Sequence, residues 1–178
     1  MKKLVSDYLS HIAMGAEQRY KNMVVFPLLS EEESAVDYLL MDEALNANLV
    51  LITEVGEGGS VPELKVENRS DKKLLILDGE ELVGAKQNRI VNVTLLIAAH
   101  ASLTIPVSCV EQGRWSYRSK QFMSKERVMP PRMRMRKSAA VYNSLQTRGK
   151  FEGNQGETWD LIQDKLAILK VNSETAAL

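Results

Sequence analysis

Between Met23 and Val110 the chain is a succession of short apolar runs, each closed within a few residues by Gly, Pro, Asp, Asn or Ser. The runs are Met23–Phe26, Tyr38–Met41, Leu49–Thr53, Leu74–Leu77, Ile90–Ile97 and Ser102–Val110, with Glu63–Asn68 alternating polar and apolar between them. Runs this short cannot carry the period of a buried helix, and period two marks half-buried strands. Seven or eight such strands separated by turns predict an antiparallel β-sandwich or barrel. Asp78-Gly79 is read as a hairpin turn, with Glu80–Val83 as its return strand. Asp42–Asn46 is read as a short helical turn and Ser30–Glu33 as a solvated one.

The two ends have a different texture. Val5, Tyr8, Leu9, Ile12 and Ala16 recur at helical spacing, so a helix is predicted over residues 5–20, capped by Ser6 or Asp7. Helices are also predicted over 131–147 and over Thr158–Lys170, where Trp159, Ile162, Leu166 and Leu169 form a stripe. The expected fold is α+β: one domain over 1–178, with a β core at 22–115 followed by a basic segment and helical appendage at 116–178.

No run approaches the 18 or so apolar residues of a membrane span. The first residues lack the apolar stretch of a secretory signal. The single Cys109 leaves no intramolecular disulfide and fits a reducing compartment. A cytoplasmic protein, with no membrane partner, is the expectation. Net charge is zero, but unevenly spread: residues 1–81 carry 16 acidic and 8 basic side chains (−8), and residues 82–178 carry 7 and 15 (+8). Such asymmetry marks either an anion-binding half or two halves that attract across the fold, and the second reading is favoured.

Several chemistries lack their residues. His11 and His100 stand apart from any metal-binding spacing, so no histidine or cysteine metal site is expected. Gly56-Glu57-Gly58-Gly59-Ser60 has no following Gly-Lys-Ser/Thr, which removes a phosphate loop. Asp78 and Glu80 fall on one strand face and Glu81 on the other, more in keeping with a charged turn than a cation site. Cys109 beside Glu111 makes a poor thiolate and is read as a small core residue.

What stands out is Gly84-Ala85-Lys86-Gln87-Asn88-Arg89, a polar block between the apolar pairs Leu82-Val83 and Ile90-Val91. Were it strand, two of Lys86, Gln87, Asn88 and Arg89 would face inward unless a bulge intervened. Buried, they need partners. They also suit a phosphate, carboxylate or nucleotide. A second constellation is Cys109-Val110-Glu111-Gln112-Gly113-Arg114-Trp115, where Glu111 and Arg114 can pair or grip a ligand and Trp115 can stack on a base. From Arg114 to Lys137 there are nine basic residues and one acid, Glu126, with Trp115, Tyr117 and Phe122 beside them. This raises nucleic-acid binding as an alternative, disfavoured by the neutral total charge.

The two motifs, Leu77–Arg89 and Ile105–Trp115, resemble the family named ARG and rhodanese-phosphatase-superfamily-associated protein domain. The resemblance is good from about residue 35 to 115 and continues through the Trp159 helix. It implies a setting of ADP-ribosylglycohydrolases and NAD or ADP-ribose metabolism, with proteins of ADP-ribosylation systems as partners, and names no cofactor. Glu80, Gln87, Asn88, Arg89, Glu111, Arg114 and Trp115 match its motifs. The expected function is binding of, or action on, an ADP-ribose- or NAD-derived nucleotide, with Glu80 and Glu111 as candidate catalytic carboxylates. Lys86, Gln87, Asn88, Arg89, Arg114 and Trp115 are the candidate ligand-binding residues. The alternative is a non-enzymatic interaction module whose polar block is a structural hydrogen-bond network. Residues 172–178 read as a linker entering another element, as in a shortened member of the family.

Overall fold

The computed structural model describes residues 2–31 and 36–178, so the turn expected at Ser30–Glu33 lies partly outside the described residues. The chain divides into two units, Met1–Asp37 and Tyr38–Leu178.

The first unit begins with α1 (Lys2–Ser10) and continues as a long hairpin. Its strands are β1 (Ile12–Met14), β2 (Gln18–Tyr20), β3 (Met23–Val25) and β4 (Leu28–Ser30), with β1 antiparallel to β4 and β2 to β3. The helix predicted to reach residue 20 therefore stops at Ser10, whose hydroxyl donates to Asp7 O at 2.7 Å. Gly15, which would weaken a helix interior by about 1 kcal/mol, instead lets the strands close: its N–H donates to Pro27 O at 2.8 Å. Ile12 and Ala16 fit either period, and the pairing decides between them.

The second unit contains β5 (Tyr38–Leu40), α2 (Met41–Asn46), β6 (Val50–Glu54), β7 (Glu63–Asn68), β8 (Lys73–Ile76), β9 (Glu80–Gly84), β10 (Arg89–Val91), β11 (Leu95–Ile97), β12 (Ser102–Cys109), β13 (Phe122–Val128), α3 (Pro131–Arg148) and α4 (Gln155–Leu169). A six-stranded sheet runs β13-β9-β10-β12-β7-β6 with every neighbouring pair antiparallel, and it curls into a half-barrel. A smaller sheet, β11-β8-β5, includes a parallel pair, β5 with β8, which the expected all-antiparallel arrangement did not contain. The α+β class with helices at both ends stands.

Three expectations are corrected. Asp78-Gly79 does not close a hairpin, because β8 and β9 lie in different sheets. The run Ile90–Ile97 is two strands in two sheets. Polar residues divide it: Asn92 donates to Phe151 O at 3.0 Å and accepts from Ser108 Oγ at 2.8 Å, while Thr94 Oγ1 accepts from Asp78 N at 3.1 Å. Finally, the sheet continues past residue 115 through β13, whose polar composition hides it. Charges suit an edge strand, and the register shifts between Ser124 and Val128 around Glu126, at φ +55°.

Alternation along the six strands builds two cores. The concave face places Ile52, Leu64, Leu82, Val91, Ile105 and Phe122 against Met41 and Ala44 of α2 and Leu74 and Ile76 of β8. The other face sets Ile90 and Val110 against Met129, Met133 of α3 and Ile162 of α4. Lys137 of α3 is buried there and held by Asp78, Val91 O and Asn92 O. Gln155 at the start of α4 brackets Cys109, accepting from its N–H and donating to its carbonyl at 2.8 Å each.

Candidate functional site

The polar block is not an interrupted strand. It is the connection between β9 and β10, and residues 85–88 form the turn. Gly84 at φ +124° and Ala85 at φ +39° shape it. A Cβ on Gly84 would stand 2.6 Å from Ser119 Oγ and 2.9 Å from Gln121 O, so only glycine fits. The turn brings Gln87, Asn88, Arg89, Glu111 and Arg114 together, all of them buried.

With Glu54 they form two arginine–glutamate pairs of different character. In the first, Glu111 is fully enclosed and both its oxygens are engaged. Oε2 accepts from Arg114 Nη2 at 2.6 Å and from Asn88 N at 3.1 Å. Oε1 accepts from Arg114 Nε at 2.9 Å and from Thr175 Oγ1 at 2.8 Å. Arg114 spends its remaining N–H groups on Ala85 O, Ser116 O, Gly84 O and Asn88 Oδ1. Burial pushes the Glu111 pKa up. The bonds from Arg114, Thr175 and the Asn88 amide outweigh burial and hold the carboxyl below its ordinary value. A carboxylate so bound is a weak base with no lone pair facing solvent.

The second pair lies at the end of the concave face. Arg89 on β10 has Cys109 as its neighbour in β12, and Glu54 ends β6 after Val50 and Ile52 on the same face. Arg89 is 0% exposed, yet only Nη1 has a hydrogen bond, to Gln87 Oε1 at 3.0 Å. Among the described residues, Nε and Nη2 have no hydrogen-bond partner, and neither has Glu54 Oε2. The nearest approach of the pair is 3.8 Å, Nη2 to Oε1, and that oxygen already accepts from Lys86 N at 3.2 Å. A buried donor left unmade costs about 1–3 kcal/mol, and more when charged. Burial lowers the Arg89 pKa from its ordinary value, opposed by Cys109 and Glu54. Cys109 is pushed up to about 11 by burial, so its thiol is inert at neutral pH.

Aromatic rings and a glycine loop cover this pair. The Arg89 guanidinium sits 5.5 Å from the Trp115 ring. Lys86 Nζ lies 5.4 Å from Trp115 and 5.0 Å from Tyr117, within cation–π range. The same ammonium donates to Glu57 O at 2.9 Å and Gly58 O at 2.6 Å, and Tyr117 OH donates to Glu57 O at 3.3 Å. Gly59, at φ +73°, presses against the cluster: a Cβ there would lie 3.3 Å from Glu54 Oε2 and 3.5 Å from Trp115. The loop at 56–60 is therefore a latch over Glu54. Trp115 and Tyr117 remain about half exposed, and Tyr117 also borders an open surface depression along Arg118, Ser119 and Lys120.

Not every candidate joins this cluster. Glu80 stands at the opposite end of β9, about 13 Å away along the strand at ~3.3 Å per residue. There its Oε2 accepts from Leu77 N at 2.8 Å, and burial raises its pKa, with Asp42 adding to the rise. Of the basic run, Arg132, Arg134 and Arg136 sit on α3 rather than on one strand face, and Arg136 faces Glu157 at 3.7 Å. Among the described residues, no group of three or more His, Cys, Asp and Glu is placed to hold a metal ion, and no helix is long and apolar enough to cross a membrane.

Glu54 and Thr175 were absent from the sequence-derived candidates. Glu54 was legible, since extending the alternation Val50–Ile52 by two residues reaches it. Thr175 carried no signal. Residues 172–178, expected as a linker, lie along the end of β12: Ala177 bridges Glu111, Leu178 N donates to Val110 O at 3.0 Å, and Gly113 N donates to Thr175 O at 2.8 Å.

These features define an α+β domain with a curled antiparallel sheet and a covered polar mouth at one end of its concave face. The chain belongs to the ARPP-1 family, the ARG and Rhodanese-Phosphatase-superfamily-associated Protein domain, whose model matches residues 11–178. Comparison with curated proteins and with solved structures finds no match.

Proposed function

We propose that this domain binds a nucleotide-type metabolite of the ADP-ribose or NAD class at the Arg89–Glu54 mouth. One observation carries the reading: a fully buried guanidinium with two nitrogens, Nε and Nη2, unspent, beside a glutamate whose Oε2 is equally unspent. Such a pair accepts a ligand that offers both an acceptor and a donor, as sugar hydroxyls and phosphates do. Trp115 and Tyr117 supply ring faces for a base, and Lys86, Arg118 and Lys120 supply positive charge for phosphate. The family's ADP-ribose setting points to the same class of molecule. The Glu111–Arg114 pair serves as the frame that holds the turn, which supports a structural rather than a catalytic role for Glu111.

Titration calorimetry with ADP-ribose and with NAD tests this. The expected result is a dissociation constant below ~0.1 mM, about −5.5 kcal/mol, for one of them, weakened at least about tenfold by Arg89→Met. Absence of heat with both, at protein concentrations able to detect ~0.1 mM binding, removes the proposal.

A further inference from the structure

Arg89 and Glu54 differ in what they lack. Among the described residues, Arg89 Nε and Nη2 are donors without an acceptor, while Glu54 Oε2 is an acceptor without a donor. Gly59 lies over that oxygen, since a Cβ there would stand 3.3 Å from it. Its N–H is turned away and donates to Gly56 O at 3.3 Å. The loop thus covers Glu54 Oε2 without bonding to it. Charge is balanced in the same small volume. The arginines of the Arg89–Glu54 and Arg114–Glu111 pairs match their glutamates, and the Cys109 thiol, pushed up to about 11, adds no charge at neutral pH. The Arg89 and Glu54 side chains are 0% and 3% exposed, so a group that meets them does so out of water.

Such a group has to supply an acceptor, supply a donor and bring no net charge. A phosphate dianion supplies acceptors only. It leaves Glu54 Oε2 unmatched and sets like charges together where water screens them poorly. An ammonium leaves Arg89 unmatched. A hydroxyl is neutral and both donates and accepts. Two hydroxyls on adjacent carbons supply acceptors for Nε and Nη2 and a donor for Oε2.

We propose that Arg89 and Glu54 form a ribose clamp that takes the vicinal 2′- and 3′-hydroxyls of an adenosine, with the phosphates held apart from it at Lys86, Arg118 and Lys120. The clamp rests on the nucleotide reading above and names which part of that ligand meets the buried pair. Trp115 selects the sugar. Its ring is 5.5 Å from the Arg89 guanidinium, and a base stacked on it is one glycosidic bond from its own ribose. Glu54 sets the specificity, because a carboxylate that accepts from a ribose hydroxyl turns away a sugar phosphorylated there.

Titration calorimetry with ADP-ribose and two analogues altered only at the adenosine ribose tests the clamp. A primary carboxamide also offers a donor and an acceptor, and ADP-ribose carries none. The 2′-deoxy analogue is expected to bind at least about tenfold more weakly, since it leaves a charged buried group without its hydrogen bond. The 2′-phosphorylated analogue is expected to bind at least about tenfold more weakly as well, because its charge meets that of Glu54. In Glu54→Gln the phosphorylated analogue is expected to draw level with ADP-ribose or pass it, as Arg89 still donates and the neutral amide no longer repels. A misfolded variant would weaken all three ligands alike, so the change of preference reports on Glu54 itself. Equal binding of all three ligands to wild type overturns the clamp and leaves the nucleotide reading standing. Tighter binding of the 2′-phosphorylated analogue to wild type assigns Arg89 to a phosphate and also overturns it. Absence of heat with all three removes the nucleotide reading and the clamp together.

Discussion

Arg114 and Arg89 are both buried, both face a glutamate, and both flank the turn at 85–88, but their nitrogens end differently. Arg114 distributes its N–H groups over a carboxylate, an amide oxygen and three backbone carbonyls. Arg89 reaches one amide oxygen and stops. Burial and charge are the same in the two cases, so neither marks a site. What separates them is whether the hydrogen-bonding capacity is used up. A saturated pair locks backbone, and in the proposed function the unsaturated pair holds its capacity for a ligand.

The comparison breaks or sharpens by substitution. Glu111→Gln leaves the Arg114 charge buried without its counterion, and a loss of about 3–5 kcal/mol is expected in urea unfolding. A loss below ~1 kcal/mol would mean that the first pair is no frame at all. Asn88→Ala removes the Oδ1 that accepts from Gly84 N and Arg114 Nη2, with about 1–3 kcal/mol expected by the same measurement. In contrast, Arg89→Met with Glu54→Gln replaces a charged pair that is poorly bonded internally. Its stability is expected to match wild type or exceed it by ~1 kcal/mol while ligand heat disappears. A marked destabilisation would reassign that pair to the frame.

The smallest effect concerns Glu81, buried with Oε1 unpartnered and its pKa raised by burial, against Arg127 and with Glu111 adding to the rise. A raised folded pKa gives stability that is present below the ordinary value of 4.5 and lost as pH rises through the folded value. Glu111 has the opposite sign: its contribution is present above 4.5 and lost as pH falls through its lowered value. Glu81→Gln is therefore expected to melt higher than wild type at pH 7.5, with the difference vanishing towards pH 4. A variant that melts lower at pH 7.5 would show that Glu81 is ionised and paired.

Much of the β core was legible because period two survives burial. Glu63–Asn68 was bounded as β7 runs, and Thr158–Lys170 starts three residues inside α4 and ends one beyond it. The failures have specific causes. Ile90–Ile97 keeps an unbroken apolar–polar rhythm through Asn92 and Thr94, so alternation cannot see the chain leave one sheet for another between Val91 and Leu95. β13 is an edge strand, where charged side chains are tolerated, and its Ser124–Arg127 stretch is polar. The candidate block was visible as a polar cluster, but its convergence with Glu111 and Arg114 was not, because the two motifs lie more than 20 residues apart and only the pairing of β10 with β12 joins them. Thr175 was not, because its contact with Glu111 spans 64 residues and leaves no local trace.

The latch over the mouth has a consequence for rates. Lys86 ties Trp115 and Tyr117 to the carbonyls of Glu57 and Gly58, and Arg89 beneath them is sealed from solvent. A ligand reaching Arg89 has to wait for that tie to part, however much ligand is present. In stopped-flow measurements of Trp115 fluorescence, the observed rate is then expected to level off with rising concentration at the opening rate of the loop. Lys86→Met, which keeps the stem and removes the tie, is expected to lift that ceiling.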